Sequence, residues 1–377
     1  MRLTDICDFQ GGSQPPKDEW LFEKQEGYIR MLQIRDFTQS EKVVPEYVKI
    51  SKSTKICQAD DILIARYGAS IGKILTGLSG AYNVAIMRAI PDTHMLQKKY
   101  LYYYLKSPYF QTAILNVGSR AAQAGFNKED LSKLEIKCPL LSEQDSIIDI
   151  LQKVESIIGK RKKELIFLGE LVKARFVEMF GTLHDNENGF DIVTIEDVCS
   201  LIKDGTHQTP QYTEDKKEGY KFLSSKDVMS QKVDWTNIKY IPAELHEKLY
   251  ATIKPQRNDI LMSKNGVNYG VAAVNDTDEV FDIYVSLALL RPKKIIDPVF
   301  LKCVINNPET KWQFDSSIKG IGVPNLHLGE IKKTRMFLPP IELQNQFADF
   351  VRAIDKSKVS LYYKNRKGGF SAIIVYI

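Results

Sequence analysis

The sequence predicts an α+β protein: two β-rich mixed domains joined by long helices that carry a coiled-coil stripe, the whole an internal two-fold repeat. Three observations carry this. A heptad stripe runs through residues 142–180, the stretches on either side show the two-residue rhythm of strands, and the first half of the chain recurs in the second.

In chain order, residues 3–7 read as a short strand or helix, and Gly11-Gly12-Ser13-Gln14-Pro15-Pro16 as a turn-rich loop. Residues 27–32, 43–50 and 60–66 mix β-branched and aromatic with polar residues, as strands do. The stretch 68–73 superficially resembles a phosphate loop. It has one residue too few between Gly68 and Gly72, and Lys73-Ile74 where Lys-Ser/Thr is required, so a glycine turn is the better reading. Residues 83–89 continue the β pattern. Residues 98–109 are aromatic at helical spacing, with Pro108 limiting that helix, and 118–127 form a polar loop. Residues 131–136 then lead to Pro139, closing a first domain at 1–140.

The following segment, 141–181, is the first spacer helix. Alternating steps of four and three from Ile147 reach Leu151, Val154, Ile158, Arg161, Leu165, Leu168, Val172, Arg175 and Met179, apolar except for the arginines. Ser142 with Asp145 makes a plausible cap, Gly159 and Gly169 only weaken the helix, and Gly181 follows its last periodic residue. At about 1.5 Å per residue it spans roughly 58 Å, too long to hide in one small domain.

The repeat is read from matching residues. Asp61-Ile62-Leu63 recurs as Asp259-Ile260-Leu261, Gly68 and Gly72 as Gly266 and Gly270, Asn127 as Asn325, and Pro139, Leu141 and Gln144 as Pro339, Ile341 and Gln344. Asp5-Ile6-Cys7 matches Asp197-Val198-Cys199, and the loop from Gly11 matches Gly205-Thr206-His207-Gln208-Thr209-Pro210, which sets Ser13 against His207. The second domain is thus 182–340, followed by a second spacer helix in 341–377. Its seam holds Phe347, Val351, Ile354 and Leu361, then breaks at 362–369 and gives way to an irregular apolar tail. Such a shortened helix would leave Leu165, Leu168, Val172 and Met179 uncovered on the first one.

Composition narrows the function. The 377 residues are 44% hydrophobic with a net charge of +5, which permits nucleic acid without demanding it. Five cysteines without a CxxC pair suggest reduced thiols, and the five histidines include no metal-site spacing. The N-terminus is no signal peptide and no apolar run is long enough to span a membrane, so a cytoplasmic protein is expected. There is no GxSxG elbow, no complete phosphate loop and no Asn-Pro-Pro-aromatic tetrapeptide, so catalysis is not expected.

The Asp204-Gly205-Thr206-His207-Gln208-Thr209-Pro210 loop and the two Pro-to-helix junctions, 139–144 and 339–344, resemble one family across nearly the whole chain. The chain is similar to the specificity subunits of type I restriction-modification systems. The resemblance implies a non-catalytic reader of double-stranded DNA with two target-recognition domains. It also implies that the two long helices pack as an antiparallel coiled coil and dock methyltransferase subunits and a restriction-translocase subunit, with no cofactor in this chain, S-adenosylmethionine and ATP residing in the partners. The helix length agrees, exceeding one B-DNA turn of about 34 Å. Candidate DNA contacts on the glycine-rich turns are Arg66, Lys73, Arg120, Gln123 and Lys128 in the first domain, and His207, Lys264, Asn268, Tyr269 and Lys319 in the second. Candidate helix-pairing residues are Ile147, Leu151, Val154, Ile158, Phe347, Val351, Ile354 and Leu361. The rival reading is a coiled-coil protein–protein adaptor that binds no DNA.

Overall fold

The computed structural model describes residues 1–118, 125–318 and 324–367, with side chains of the last helix described to Lys358. The chain divides into two compact units, the first built mainly from Met1–Lys162 and the second from Lys163–Ser360.

The first unit holds two four-stranded sheets. One is antiparallel and runs Cys7–Gly11, Ile86–Pro91, Ile62–Ala65, Ile74–Leu75. The other runs Glu46–Lys49, Tyr28–Leu32, Gly80–Tyr82, Ile56–Cys57, with Tyr28–Leu32 and Gly80–Tyr82 parallel. Every residue of Ile62–Ala65 is buried, because both faces are covered. Ile62 and Ile64 meet Tyr100, Leu101, Tyr104 and Phe110, while Leu63 and Ala65 meet Leu75, Tyr82 and Leu32. The helix expected over 98–109 is two helices, Lys98–Lys106 and Pro108–Gly118. Pro108 opens the second one, where its missing N–H costs nothing. The strand expected over 43–50 narrows to Glu46–Lys49, starting just after Pro45.

The second unit repeats this plan. Cys199–Asp204, Leu287–Pro292, Ile260–Ser263 and Ala272–Val274 form a sheet in the same order, and Tyr220–Leu223 pairs parallel with Phe281–Ile283. Even the register recurs: Ile62 opposes Ala89 as Ile260 opposes Leu290, and Leu63 opposes Leu75 as Leu261 opposes Ala273. The repeated aspartates have one job in both copies. Asp61 and Asp259 are buried, each accepting a backbone N–H three residues upstream, from Gln58 at 2.8 Å and Gln256 at 2.7 Å. Each also binds an arginine, Arg88 and Arg291. By register those arginines stand two strand positions apart, on the same face, so different positions supply the same counter-charge.

Register also corrects the alignment read from sequence. A bulge between Cys199 and Leu201 shifts the second copy by one, so that Gly12 matches Gly205 and Ser13 matches Thr206. Gly12 and Gly205 donate to Ile86 and Leu287, and Ser13 and Thr206 to Tyr82 and Ile283, so His207 is not the counterpart of Ser13. Likewise Tyr67 bridges Gly125 as Asn265 bridges Asn325. Asn127 therefore corresponds to His327, and both are N-caps of short helices, Lys128–Leu131 and Leu328–Lys333.

The spacer helix is Leu141–Phe180, 40 residues without a break. Its seam residues are partly spent on seating it. In the first unit Leu151, with Ile148 and the partly buried Ile147, joins the domain core; Val154 is buried and Ile158 half-buried. In the second unit the frame moves by one residue: Phe176 and Phe180 enter the core against Phe300, Phe337 and Phe347, while Arg175 pairs with Glu178 at 2.9 Å. Val172 and Met179 pack at the edge of that core, and Leu165 and Leu168 are half-buried. Over this far half of the helix the bare apolar residues are instead Ile166, Phe167, Leu171 and Val177. The last helix, Ile341–Lys367, carries on past the break in its heptads. Phe347 and Val351 belong to the second domain's core, and Ile354 is half-buried. The side chain of Leu361 and the expected tail at 370–377 lie outside the described residues.

Each junction is fastened by a buried glutamine. Gln144 accepts from the Gln97 N–H (2.9 Å) and donates to the Met95 and Pro139 carbonyls (2.7 and 2.9 Å). Gln344 repeats the set with Asp297 N–H, Ile295 and Pro339 at 3.0, 3.2 and 2.7 Å.

Candidate nucleic-acid interface

Three segments converge at one place in each domain: the loop after the first strand, the glycine turn, and the strand-like stretch before the short capped helix. In the first domain Arg66 opens the turn, its N–H bound to Ala85 (2.8 Å) and its Nε to the Phe126 carbonyl (3.3 Å). In the second, Lys264 N–H binds Ser286 and its carbonyl accepts from Leu326 (2.8 Å), while Gly266 N–H binds Pro324. The repeated glycines are explained by backbone geometry. Gly68, Gly72, Gly266 and Gly270 all have positive φ, between 70° and 87°, which L side chains rarely adopt. The turn at 68–73 is thus a backbone device.

The side chains on this shared frame differ. Register puts Gly11 where the second domain has Asp204. Arg66 consequently finds no carboxylate there; its guanidinium bonds to the Phe126 and Val84 carbonyls and lies over the Tyr67 ring, 5.0 Å from the centroid. Lys264, its counterpart, is 4% exposed and donates to Asp204 at 2.9 Å. The exposed His207 Nε2 stands 3.2 Å from the same carboxylate oxygen. A lysine so enclosed is spent on holding its loop.

The other candidates sort by environment. Lys73 and Asn268 are exposed on the turns. Lys128 is exposed but paired with Asp8, whose carboxyl that hydrogen bond holds below its ordinary range. Tyr269 is buried, its hydroxyl donating to Asp315 and its ring under Lys311 Nζ, 3.3 Å from the centroid. Arg120, Gln123 and Lys319 lie outside the described residues.

The structure adds residues that sequence reasoning passed over. Val267, 83% exposed, is at the tip of the second turn, and Tyr67 is exposed at the first. Tyr212 lies beyond the 204–210 loop with Lys239 Nζ 4.0 Å above its ring, next to the Thr213–Tyr240 bridge. A lone tyrosine and a lysine far apart in sequence carry no signal until a strand pairing joins them. Among the described residues there is no cluster suited to a metal ion, and no helix long and apolar enough to cross a membrane.

Comparison with known proteins agrees with this architecture. The family described as "Type I restriction modification DNA specificity domain" matches residues 1–166 and 187–366. The specificity subunit of the type I restriction enzyme MjaVIII from Methanocaldococcus jannaschii is 22% identical over 380 residues, covering 94% of this chain and 85% of that protein. The EcoBI specificity subunit of Escherichia coli is 23% identical over 308 residues, covering 72% and 64%. Among solved structures, the type I S subunit from M. genitalium superposes with a TM-score of 0.53 at 12% identity, covering 100% of this chain and 94% of that one. A chain from a study of assembly and conformational transition of the type I system gives 0.50 at 16% identity, covering 99% and 95%. With the family matched once on each half of the repeat, this chain belongs to the type I restriction-modification DNA specificity family, the non-catalytic DNA-recognition component of those systems.

Proposed function

We propose that the chain reads a split DNA target, one half by each domain, with the helices setting the unread gap and docking methyltransferase subunits. The observation that carries this is one loop frame built twice with different side chains: Arg66 opposite Gly11 in one copy, Lys264 bound to Asp204 in the other. Equal frames give equal approach to the duplex, and unequal side chains give two sequences. Nearly balanced charge, +5 in 377 residues, fits a reader whose partners add phosphate contacts. On this reading S-adenosylmethionine and ATP belong to the methyltransferase and translocase partners, in the cytoplasm, and the chain itself holds no cofactor. The test is co-expression with candidate methyltransferase partners followed by long-read methylation mapping. A split motif with a fixed gap is expected; stable complexes with no methylated motif and no DNA binding would favour the adaptor reading.

A further inference from the structure

In the second domain, two lysines flank one carboxylate and a third stands near one of them. Lys232 Nζ lies 3.6 Å from Asp355 Oδ1, and Lys358 Nζ lies 3.9 Å from the same oxygen. Lys302, on helix Pro298–Ile305, is only 9% exposed, and no hydrogen bond or ion pair joins its ammonium group to another described residue. Among the described residues Lys232 and Lys358 share the one carboxylate of Asp355 and Lys302 has no acidic partner, an arrangement that an anion would relieve.

Lys358 differs from the other two. Burial, with Lys232 and Lys302 beside it, pulls its pKa below the ordinary lysine value despite Asp355. Its side chain is still 29% exposed, so a small reagent can reach it. The neighbouring Cys303 is no competitor: burial pushes its thiol up to about 11, leaving it protonated at neutral pH.

We propose that Lys358 is an acylation site, served by small acyl phosphates whose phosphate group is held by Lys232 and Lys302. The neutral Nζ attacks the acyl carbon and forms the N–C bond. The C–O bond to the phosphoryl group breaks, and phosphate leaves with the electron pair. The proton lost from nitrogen goes to the departing phosphate, and two ammonium groups stabilise the charge that develops on it. The product is an amide, and the cluster loses one positive charge.

The experiment exposes the full chain to acetyl phosphate and follows each lysine by peptide mass spectrometry at early times. The internal standards are Lys356, exposed on the same helix, and Lys248, whose pKa is raised by its hydrogen bond to Glu244. Lys358 is expected to react measurably faster than Lys248, because burial and its lysine neighbours lower its pKa while the hydrogen bond to Glu244 raises that of Lys248. Excess inorganic phosphate should slow Lys358 and leave the standards unchanged, and Lys302→Gln or Lys232→Gln should do the same. The proposal is overturned if Lys358 reacts no faster than the standards, or if phosphate leaves its rate unchanged. The phosphate competition uses the unaltered chain, so it decides the matter even where a variant fails to fold. DNA plays no part in the assay, and its outcome is independent of the target-reading function.

Discussion

Gly12 and Gly205 show how much of the reading frame depends on an absent atom. A Cβ on Gly12 would stand 2.1 Å from the Asn83 carbonyl oxygen, and one on Gly205 2.0 Å from that of Ile283. Neither neighbour is a side chain that can swing away. Gly205→Ala should therefore push the 204–210 loop off strand Phe281–Ile283, costing about 1–3 kcal/mol. Recognition of the second half-site should fall while the first is kept, as read by binding to duplexes with either half scrambled. A second contrast separates reading from holding. Lys73→Ala should flatten the salt dependence of DNA affinity by about one unit of slope and leave the thermal midpoint alone. Lys264→Ala removes a buried partner of Asp204 and should destabilise the domain by about 2 kcal/mol. Salt titration and thermal unfolding check the pair; if both variants change only affinity, Lys264 is a contact and not a brace. The sequence marked both lysines alike, because a turn position says nothing of what faces the side chain. The facing Asp204 is 60 residues away along the chain.

At the scale of elements, periodicity and repetition foretold most of what forms. The long helix was legible in its stripe, and the twin sheets in the paired Asp-Ile-Leu triplets. What was not legible is where a stripe stops serving one partner and starts serving another. Phe176 and Phe180 displace Arg175 and Met179 because the helix must end inside the second domain's aromatic cluster, and no heptad announces that. The glutamines at the junctions were visible as a repeat, their role only through the carbonyls they bind. Gln344→Leu would leave the Asp297 N–H and the Ile295 and Pro339 carbonyls unpaired in a buried place, at about 1–3 kcal/mol. Gln144→Leu should cost a similar amount in the first unit, and denaturant unfolding measures both. The helix also has room to gain. A Cβ at Gly159 or Gly169 meets nothing within 4 Å, so alanine at either should stabilise by about 0.5–1 kcal/mol, seen as a rise in midpoint at unchanged DNA affinity.

For the whole molecule, the independence of the two units is what matters. Each unit has its own core, its own sheets and its own buried glutamine, and the side chains that distinguish the reading loops are drawn from within one unit. Stability and reading should then be properties of each domain separately, a division the sequence repeat already implied. Exchanging residues 1–140 for the corresponding segment of a family member should change one half of the methylated motif and leave the other half and the gap intact. The exchange point lies between Pro139, whose carbonyl Gln144 binds, and the start of helix Leu141–Phe180. It keeps the glutamine and the rest of the helix with the recipient, while Met95 and Pro139 arrive with the donor. A donor whose chain presents carbonyls at those two places should seat normally; one that does not should give a chimera destabilised by the same few kcal/mol as Gln144→Leu. Methylation mapping of the chimera, with its unfolding curve alongside, tests both statements. A motif changed in both halves, in a chimera of normal stability, would show that the two domains do not read independently.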